Sequence, residues 1–413
     1  MDLDVIKSIP LIDVHTHVNF KEPTAKDPSQ ILLYHYIATE LRSIGVPVEE
    51  IREKSKDPVK DLLPYFKYIR NTATYWCLRQ ILSDLYEFHE DPSPENWERL
   101  KELIIDRAKS KDWVSELLRN KLNVERIFLT INPLEEPKLD FDRRLYVASL
   151  RLDPLVGGLS KETITQLEKI SGEEASSLEG FYECILKCFK RLRDLTATAA
   201  IAFQSPEVYT LVNQNLGKES YEKLYRGRPL FERDVGILRS IAFSIILDVC
   251  RELKLPVQIM LGVVRDLPGA SPPDYAIAFK QEGLLELCRF FGAYDDVAFH
   301  LISAYRFQSH ELTIIAKNYP NVYLTGYWWY CFYPESIAGH LLERLQLIPM
   351  SKICGFFSDA YVLEWIYGKS ALVRKITYEA LRFMVRRGFY SKELAEDIAK
   401  AIFLENPKKL FNL

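Results

Sequence analysis

The chain has 413 residues, of which 48% are hydrophobic and 27% charged, and its formal net charge is −3. These values are typical of a globular protein, and so small a charge argues against nucleic acid or an anionic membrane as a partner. No apolar run approaches the ~18 residues of a membrane span, and the first residues lack the pattern of a signal peptide. We therefore expect a cytoplasmic protein, whose seven scattered cysteines are reduced thiols rather than a disulfide framework.

The first predicted element is a strand that carries two histidines. Side chains alternate along a strand, so Asp13, His15 and His17 point to one face. Two imidazoles at this spacing on a rigid strand can bind one metal ion together. A purely structural role is the alternative, because a His-x-His string also occurs by chance.

Residues 21–120 are predicted to be mostly helical. Apolar residues recur there at helical spacing, and one such run ends at Gly45. No convincing strand interrupts this stretch. It therefore reads as a helical insertion that follows the first strand.

From residue 121 onward, apolar strand-like runs alternate with amphipathic helical runs. The strand candidates after the first are 126–132, 145–153, 197–204, 256–263, 296–303, 321–329 and 352–359. Eight near-continuous apolar strands with helices at most crossings predict an α/β fold, a parallel (β/α)8 TIM barrel. A doubly wound open sheet is the rival, but the glycine-rich turn it usually carries after its first strand is missing. We predict a barrel formed by 1–20 and 121–413, with 21–120 covering its mouth.

Catalytic groups of such barrels lie at the carboxyl ends of the strands. Reading those ends gives His15, His17, Asn132, Arg151, Asp153, Gln204, Arg265, Asp266, Arg306, Trp328, Trp329, Ser358 and Asp359. The first and last strands are neighbours in a closed barrel, so Asp359 can reach the same metal as the two histidines. We expect one divalent cation, with Zn²⁺ the first choice and Mn²⁺ the second, acting as a Lewis acid.

The histidine pair on the first strand and the aspartate that ends the eighth resemble the amidohydrolase superfamily. Within it, the chain is most similar to the uronate (glucuronate) isomerases. Five segments resemble motifs of that family, in the same order along the chain: Tyr34-His35-Tyr36, Ile69-Arg70-Asn71 with Tyr75-Trp76, Leu150-Arg151-Leu152-Asp153-Pro154, Tyr327-Trp328-Trp329 and Ser358-Asp359-Ala360.

The resemblance implies an aldose–ketose isomerase, an intramolecular oxidoreductase that acts on a small sugar acid such as glucuronate or galacturonate. Asp359 is then the proton-transferring base as well as a metal ligand, while His35 and Tyr36 donate to substrate hydroxyls or relay protons. The candidates for substrate binding are Arg151, Arg70, Arg306 and Trp328. Arg151 could instead form an ion pair with Asp153.

The chain also departs from its relatives at three places. Tyr361 stands where the family has an arginine two positions after the aspartate. Met260 lies in the strand that carries a histidine in hydrolytic amidohydrolases, and the fourth strand has no lysine to bridge two metals. Two alternatives therefore stay open: a mononuclear metal-dependent hydrolase or lactonase, and a paralogue that has lost isomerisation. The oligomeric state is also open, a homo-oligomer being one option.

Overall fold

The computed structural model describes residues 2–135, 140–204, 208–264, 276–277 and 281–413. Arg265 and Asp266, predicted at a strand end, lie outside these residues. The strands are β1 (Leu11–Thr16), β2 (Val124–Ile131), β3 (Tyr146–Arg151), β4 (Thr196–Gln204), β5 (Val257–Val264), β6 (Ala276–Ile277), β7 (Phe299–Ser303), β8 (Val322–Thr325) and β9 (Ile353–Cys354).

The strands are hydrogen-bonded in the order β1-β2-β3-β4-β5-β7-β8-β9, and the two-residue β6 pairs antiparallel with β5. The other pairings are parallel. Parallel strands in sequential order with helices between them are those of a (β/α)8 barrel, which confirms the predicted fold class. The strand β3 and the last three barrel strands are shorter than predicted, and β6 was not anticipated.

Helices precede β2 and occupy most of the intervals between the later strands. The helices before β2 are α1 (Leu3–Ser8), α2 (Ser29–Leu32), α3 (His35–Ser43), α4 (Val48–Lys54), α5 (Pro58–Leu62), α6 (Ala73–Tyr86), α7 (Trp97–Lys109) and α8 (Trp113–Glu116). Those after β3 are α9 (Lys161–Ser171), α10 (Leu178–Leu192), α11 (Gln214–Tyr225), α12 (Glu232–Leu253), α13 (Gln281–Ala293), α14 (Ser309–Asn318), α15 (Pro334–Leu347), α16 (Leu363–Arg386), α17 (Lys392–Lys400) and α18 (Asn406–Leu410).

Residues 21–120, all of which the structure describes, contain helices and no strand. Within the described residues, no helix is both long enough and apolar enough to span a membrane. The seven cysteines are free thiols, and all but Cys288 are buried.

The contacts of the chain divide it into two compact units. The first comprises Met1–Leu129, Phe332–Ala338 and Phe356–Lys400, and the second Thr130–Cys331, Gly339–Gly355 and Ala401–Leu413. The division into a barrel and a helical insertion stays a prediction.

In the first unit, helix α16 packs closely on α6. Gly368 allows this approach, since a Cβ there would come within 2.9 Å of the Cys77 carbonyl oxygen. Such a distance is shorter than carbon–oxygen contact permits, so a larger residue would push the two helices apart. The sequence thus fixes the spacing of these helices by one small residue.

In the second unit, the core histidine predicted from its place within a strand is confirmed. His300 is fully buried in β7, and its Nδ1 lies 3.2 Å from the Thr325 hydroxyl. Its ring stacks on Tyr323 and Phe411, with centroid distances of 5.2 and 4.3 Å. Burial lowers the pKa of this imidazole to about 3, so it is a neutral, structural group.

Candidate metal centre

Three predicted ligands lie together in the first unit. One ligand atom from each of His15, His17 and Asp359 lies within 4.8 Å of those of the other two. The Nε2 atom of His17 is 3.1 Å from Asp359 Oδ1, and the Nε2 atom of His15 is 3.8 Å from the same oxygen. Among the residues that the structure describes, this is the one His, Cys, Asp and Glu cluster with metal-binding geometry.

The backbone explains how distant parts of the sequence reach one point. Asp359 N donates to the His15 carbonyl at 3.0 Å, and His17 N donates to the Ala360 carbonyl at 2.8 Å. Residues 358–360 therefore run beside the end of β1 although β9 itself ends at Cys354. The end of the last strand predicted from the sequence, 352–359, thus lies beside the histidines of the first.

Asp359 has a left-handed backbone conformation, with φ of 55°. For a residue with a Cβ this conformation costs about 1 kcal/mol, and it persists where the surroundings fix it. The turn rotates the carboxylate toward the histidines instead of continuing the strand alternation. The strand β9 has already ended at Cys354, and Gly355 N donates to the Ile402 carbonyl oxygen.

The environment keeps Asp359 ionised. Burial alone would raise the pKa of Asp359, but the hydrogen bond from His17 and the electrostatic interactions with His17, His15 and Lys369 together lower that pKa below the usual range. A buried carboxylate that stays anionic next to two imidazoles is a ready ligand for a cation.

The donor set fits a divalent transition metal. Two imidazole nitrogens and one carboxylate oxygen suit Zn²⁺, and bonds of ~2.0–2.1 Å in a tetrahedron would place the ligand atoms roughly 3.3 Å apart. The observed 3.1 and 3.8 Å separations bracket that spacing. Three protein ligands also leave room for a further oxygen ligand, as in catalytic zinc sites.

Several aromatic side chains lie next to the cluster of His15, His17 and Asp359. They come from the start of α3 and from the segment after β9. The Tyr361 ring stacks on His17 with centroids 5.1 Å apart and meets the edge of His35 at 5.5 Å. His35 in turn contacts the rings of Tyr34 at 4.2 Å and Tyr36 at 4.4 Å. Burial and the nearby Lys369 charge lower the pKa of His35 to about 3, so this imidazole is neutral at physiological pH.

Tyr36 and His35 differ in their surroundings. Tyr36 is 6% exposed, and the ammonium of Lys369 lies 4.3 Å from its ring centroid. His35 begins helix α3 and contacts Tyr361, which is 52% exposed. Their catalytic roles stay predictions.

The predicted arginines have the following surroundings. In the first unit, Arg70 Nε lies 3.2 Å from Asp91 Oδ2. In the second unit, Arg151 Nε lies 3.3 Å from Asp153 Oδ2 and the Arg151 side chain is 42% exposed. The ion pair considered as an alternative therefore forms.

The other predicted substrate-binding residues lie in the second unit. Arg306 is exposed at the start of a short turn, Arg306–Gln308. Trp328 is buried and its neighbour Trp329 half-buried, so one of the pair points into the unit as predicted. Arg151, Arg70, Arg306 and Trp328 stay predictions as substrate-binding residues.

Sequence reasoning missed Lys369, which is 2% exposed on α16. Its Nζ lies 2.6 Å from the Ser358 carbonyl oxygen and 3.0 Å from the Tyr34 hydroxyl. A signal was present, since Lys369 falls at helical spacing between the apolar Ile366 and Val373. A lysine on the apolar face of a helix indicates a buried partner.

The chain is similar to known proteins in sequence and in fold. No family model matches the chain. A protein named uronate isomerase from Thermotoga neapolitana is 22% identical over 444 residues, which cover 98% of this chain and 95% of that protein. Crystal structures of uronate isomerase from Thermotoga maritima and glucuronate isomerase from Caulobacter crescentus each match with a TM-score of 0.87, at 19% and 16% identity.

These two matches cover 99% of this chain and 96% and 92% of the solved chains. The resemblance derived from the motifs is thereby confirmed, as is the TIM barrel. The chain is a relative, over nearly its full length, of proteins named uronate isomerase, and it has the fold of those that have been solved.

Proposed function

We propose that the chain is a metal-dependent aldose–ketose isomerase that interconverts an aldohexuronate of the glucuronate or galacturonate type and its keto isomer. The observation that carries this proposal is the cluster of His15, His17 and Asp359 in a chain whose full-length relatives are named uronate isomerase. The reduced state of the cysteines supports a cytoplasmic location.

The reaction moves a proton from C2 of the sugar acid to C1 through an enediol. It therefore needs a base near C2, groups that stabilise negative charge on the reacting oxygens, and a partner for the substrate carboxylate. A divalent cation bound by the three ligands would supply Lewis-acid stabilisation of that oxyanion charge. We propose Zn²⁺, with Mn²⁺ as the second choice, because two imidazoles and a carboxylate suit both.

Asp359 is the proposed base. Its lowered pKa keeps it ionised throughout the neutral range, which is the protonation state that a base requires. Because basicity falls with pKa, Asp359 is a weaker base than an unperturbed carboxylate. The reaction then depends strongly on placing C2 within hydrogen-bond reach of the second carboxylate oxygen.

His35 and Tyr36 are proposed to bind substrate hydroxyls. A neutral His35 can donate from one ring nitrogen and accept at the other, so it can hold a hydroxyl or pass on a proton. It does not supply a positive charge for the substrate carboxylate. That role we assign to Arg151, whose guanidinium uses one nitrogen on Asp153 and can offer further donors to an anion.

The absence of a strand-five histidine and a strand-four lysine argues against a binuclear hydrolase. Met260 occupies β5 and is buried, and β4 reads TATAAIAFQ. A mononuclear lactonase would use the same three ligands with water as nucleophile, so the substrate test decides between the two.

The test is a substrate panel followed by proton NMR. The protein is stripped with chelator, reloaded with Zn²⁺ or Mn²⁺, and incubated in D₂O with hexuronates and with their lactones. We expect aldose–ketose conversion with deuterium entering at the exchanged carbon, and no conversion by the stripped protein. Turnover of lactones without aldose–ketose exchange would refute the isomerase in favour of a hydrolase.

Variants test the assigned ligands. His15→Ala and Asp359→Asn are expected to lose bound metal, measured by elemental analysis, together with turnover. His89→Ala is the matched control, because His89 is an exposed histidine of the helical segment and should keep both. Full activity in a metal-stripped His15→Ala protein would exclude the proposed centre.

Tyr361 is tested by Tyr361→Arg. If the chain is a paralogue that has lost isomerisation because this arginine is missing, the wild type is inactive on hexuronates and the variant gains activity. If the proposal is correct, the wild type is active with Tyr361 in place. An inactive wild type that does not gain activity in the variant would contradict both explanations.

A further inference from the structure

Lys369 is a buried cation that the proposed mechanism does not use. Its ammonium lies 2.6 Å from the Ser358 carbonyl oxygen and 3.0 Å from the Tyr34 hydroxyl. It also faces aromatic rings, with centroids at 4.3 Å for Tyr36 and 5.3 Å for Phe332. Burying a charge is costly unless such partners compensate, so this arrangement indicates a specific task.

Tyr34 extends the contact to the metal ligand. Its hydroxyl donates to the Asp359 carbonyl oxygen at 3.1 Å, which leaves the hydroxyl oxygen to accept from Lys369. The two bonds form a chain in one direction, from ammonium to hydroxyl to carbonyl. Hydrogen bonds linked in this way strengthen one another.

The backbone around Asp359 is held at every polar group. Its three N–H groups donate as follows: Ser358 N to Asp13 Oδ1 at 2.9 Å, Asp359 N to the His15 carbonyl at 3.0 Å, and Ala360 N to Ser358 Oγ at 3.1 Å. Its three carbonyls all accept: Ser358 O from Lys369, Asp359 O from Tyr34, and Ala360 O from His17 N. The partners other than Lys369 and Tyr34 come from residues 13–17 or from the segment itself. Lys369 and Tyr34 thus connect it to α16 and to the start of α3.

We propose that Lys369 and Tyr34 form a clamp that holds Asp359 in its left-handed conformation and so sets the geometry of the metal centre. Both are positioning residues, since they act on the carbonyls of residues 358 and 359 and not on the metal or substrate. The inference rests on the metal centre assigned under the proposed function. Removing either clamp residue leaves the three ligands in place but frees the turn that aims one of them.

The experiment measures Co²⁺ affinity and the visible absorption spectrum of the Co²⁺ protein. Lys369→Met replaces the ammonium by an apolar group of similar length, and Tyr34→Phe removes only the hydroxyl. Outer partners of metal ligands contribute about 10- to 100-fold to metal affinity. We expect each variant to bind Co²⁺ at least about tenfold more weakly, with a changed ligand-field band.

The double variant, Lys369→Met with Tyr34→Phe, tests whether the two hydrogen bonds act in series. Because Tyr34 receives its hydrogen bond from Lys369 and passes one to Asp359, the two losses should not multiply. Two independent residues would give the product of the single effects. If the double variant loses Co²⁺ affinity by the product of the two single losses, the proposed series of hydrogen bonds from Lys369 through Tyr34 to Asp359 is refuted.

Arg374→Met is the matched control. Arg374 is a second buried cation on α16, but its Nη1 atom donates to the carbonyls of Ile6 and Ile9. It should destabilise the fold without changing the Co²⁺ spectrum. Wild-type Co²⁺ affinity and spectrum in folded Lys369→Met would overturn the proposal; if that variant does not fold, wild-type values in Tyr34→Phe overturn it instead.

The outcome separates the clamp from the function. A wild type that binds Co²⁺ but converts no hexuronate refutes the isomerase and leaves the clamp supported by the variant affinities. A wild type that binds no Co²⁺ overturns the metal centre and the clamp together.

Discussion

Truncating Tyr361 should weaken metal binding without unfolding the protein. The Tyr361 ring stacks on the ligand His17 at 5.1 Å with an interplanar angle of 20°, and 52% of the residue is exposed. An aromatic pair of this kind contributes about 0.5–1.5 kcal/mol. If the stack helps to fix the imidazole, Tyr361→Ala should raise the dissociation constant of the metal by about 2- to 10-fold.

The assay is competition for Zn²⁺ with a chromophoric chelator. Tyr361→Phe keeps the stacked ring and should bind Zn²⁺ like the wild type, which separates the ring from the hydroxyl. Tyr68→Ala controls for the loss of an exposed tyrosine, since Tyr68 is 58% exposed in the helical segment. Unchanged affinity in Tyr361→Ala, or an equal loss in Tyr361→Phe, would refute the reasoning.

Two further predictions concern stability. The Glu364 carboxylate accepts hydrogen bonds from three buried donors, Ala25 N, Tyr86 OH and Trp113 Nε1. Glu364→Ala leaves these donors without it, so urea unfolding should show a loss of about 3–5 kcal/mol in the free energy of unfolding. Glu364→Gln should lose less, and equal losses would contradict this account. For His300, the folded pKa of about 3 lies below the ordinary value of 6.5, so the unfolded chain binds more protons than the folded protein. The contribution of His300 to the free energy of unfolding is therefore complete above pH 6.5 and falls by roughly 2 kcal/mol from pH 7 to 5. A His300→Phe protein with the same pH dependence of stability would disprove this prediction.

The sequence was sufficient to locate the barrel strands because each contains a short run of buried apolar residues. The sequence was insufficient to predict segments in which tertiary contacts replace the hydrogen bonds between strands. Residues 355–360 look like strand, yet Asp359 turns left-handed under hydrogen bonds from residues hundreds of positions away. Similarly, β8 ends at Thr325 before the tryptophan pair, and Trp329 has a positive φ. Periodicity does not encode such turns.

The cluster of proposed ligands was predictable because its sequence signals are local: His15 and His17 lie two residues apart at the end of β1, and Asp359 lies at the end of the last strand predicted from the sequence. The side chains that hold these ligands in place could not be predicted in the same way. Lys369 is ten residues beyond Asp359 in a helix, and its role depends on Tyr34, over three hundred positions earlier. Motif reasoning identifies residues that touch a metal more readily than those that hold the ligands, since the latter need only a donor within reach.

Helix α16 is a rigid element that contacts three parts of the chain around the proposed metal centre. It carries three buried ionisable residues at intervals of five, Glu364, Lys369 and Arg374, and each interval turns about 140° around the helix. The three side chains therefore meet different backbone atoms: Glu364 binds Ala25 N, Lys369 binds the Ser358 carbonyl, and Arg374 binds the Ile9 carbonyl before β1. A single helix thus anchors the helical segment, the Asp359 turn and the entry to the histidine strand. Of the three, Lys369 is the one that binds the segment of Asp359, so we expect Lys369 to affect the placement of that carboxylate, whereas Glu364 and Arg374 stabilise the packing around α16.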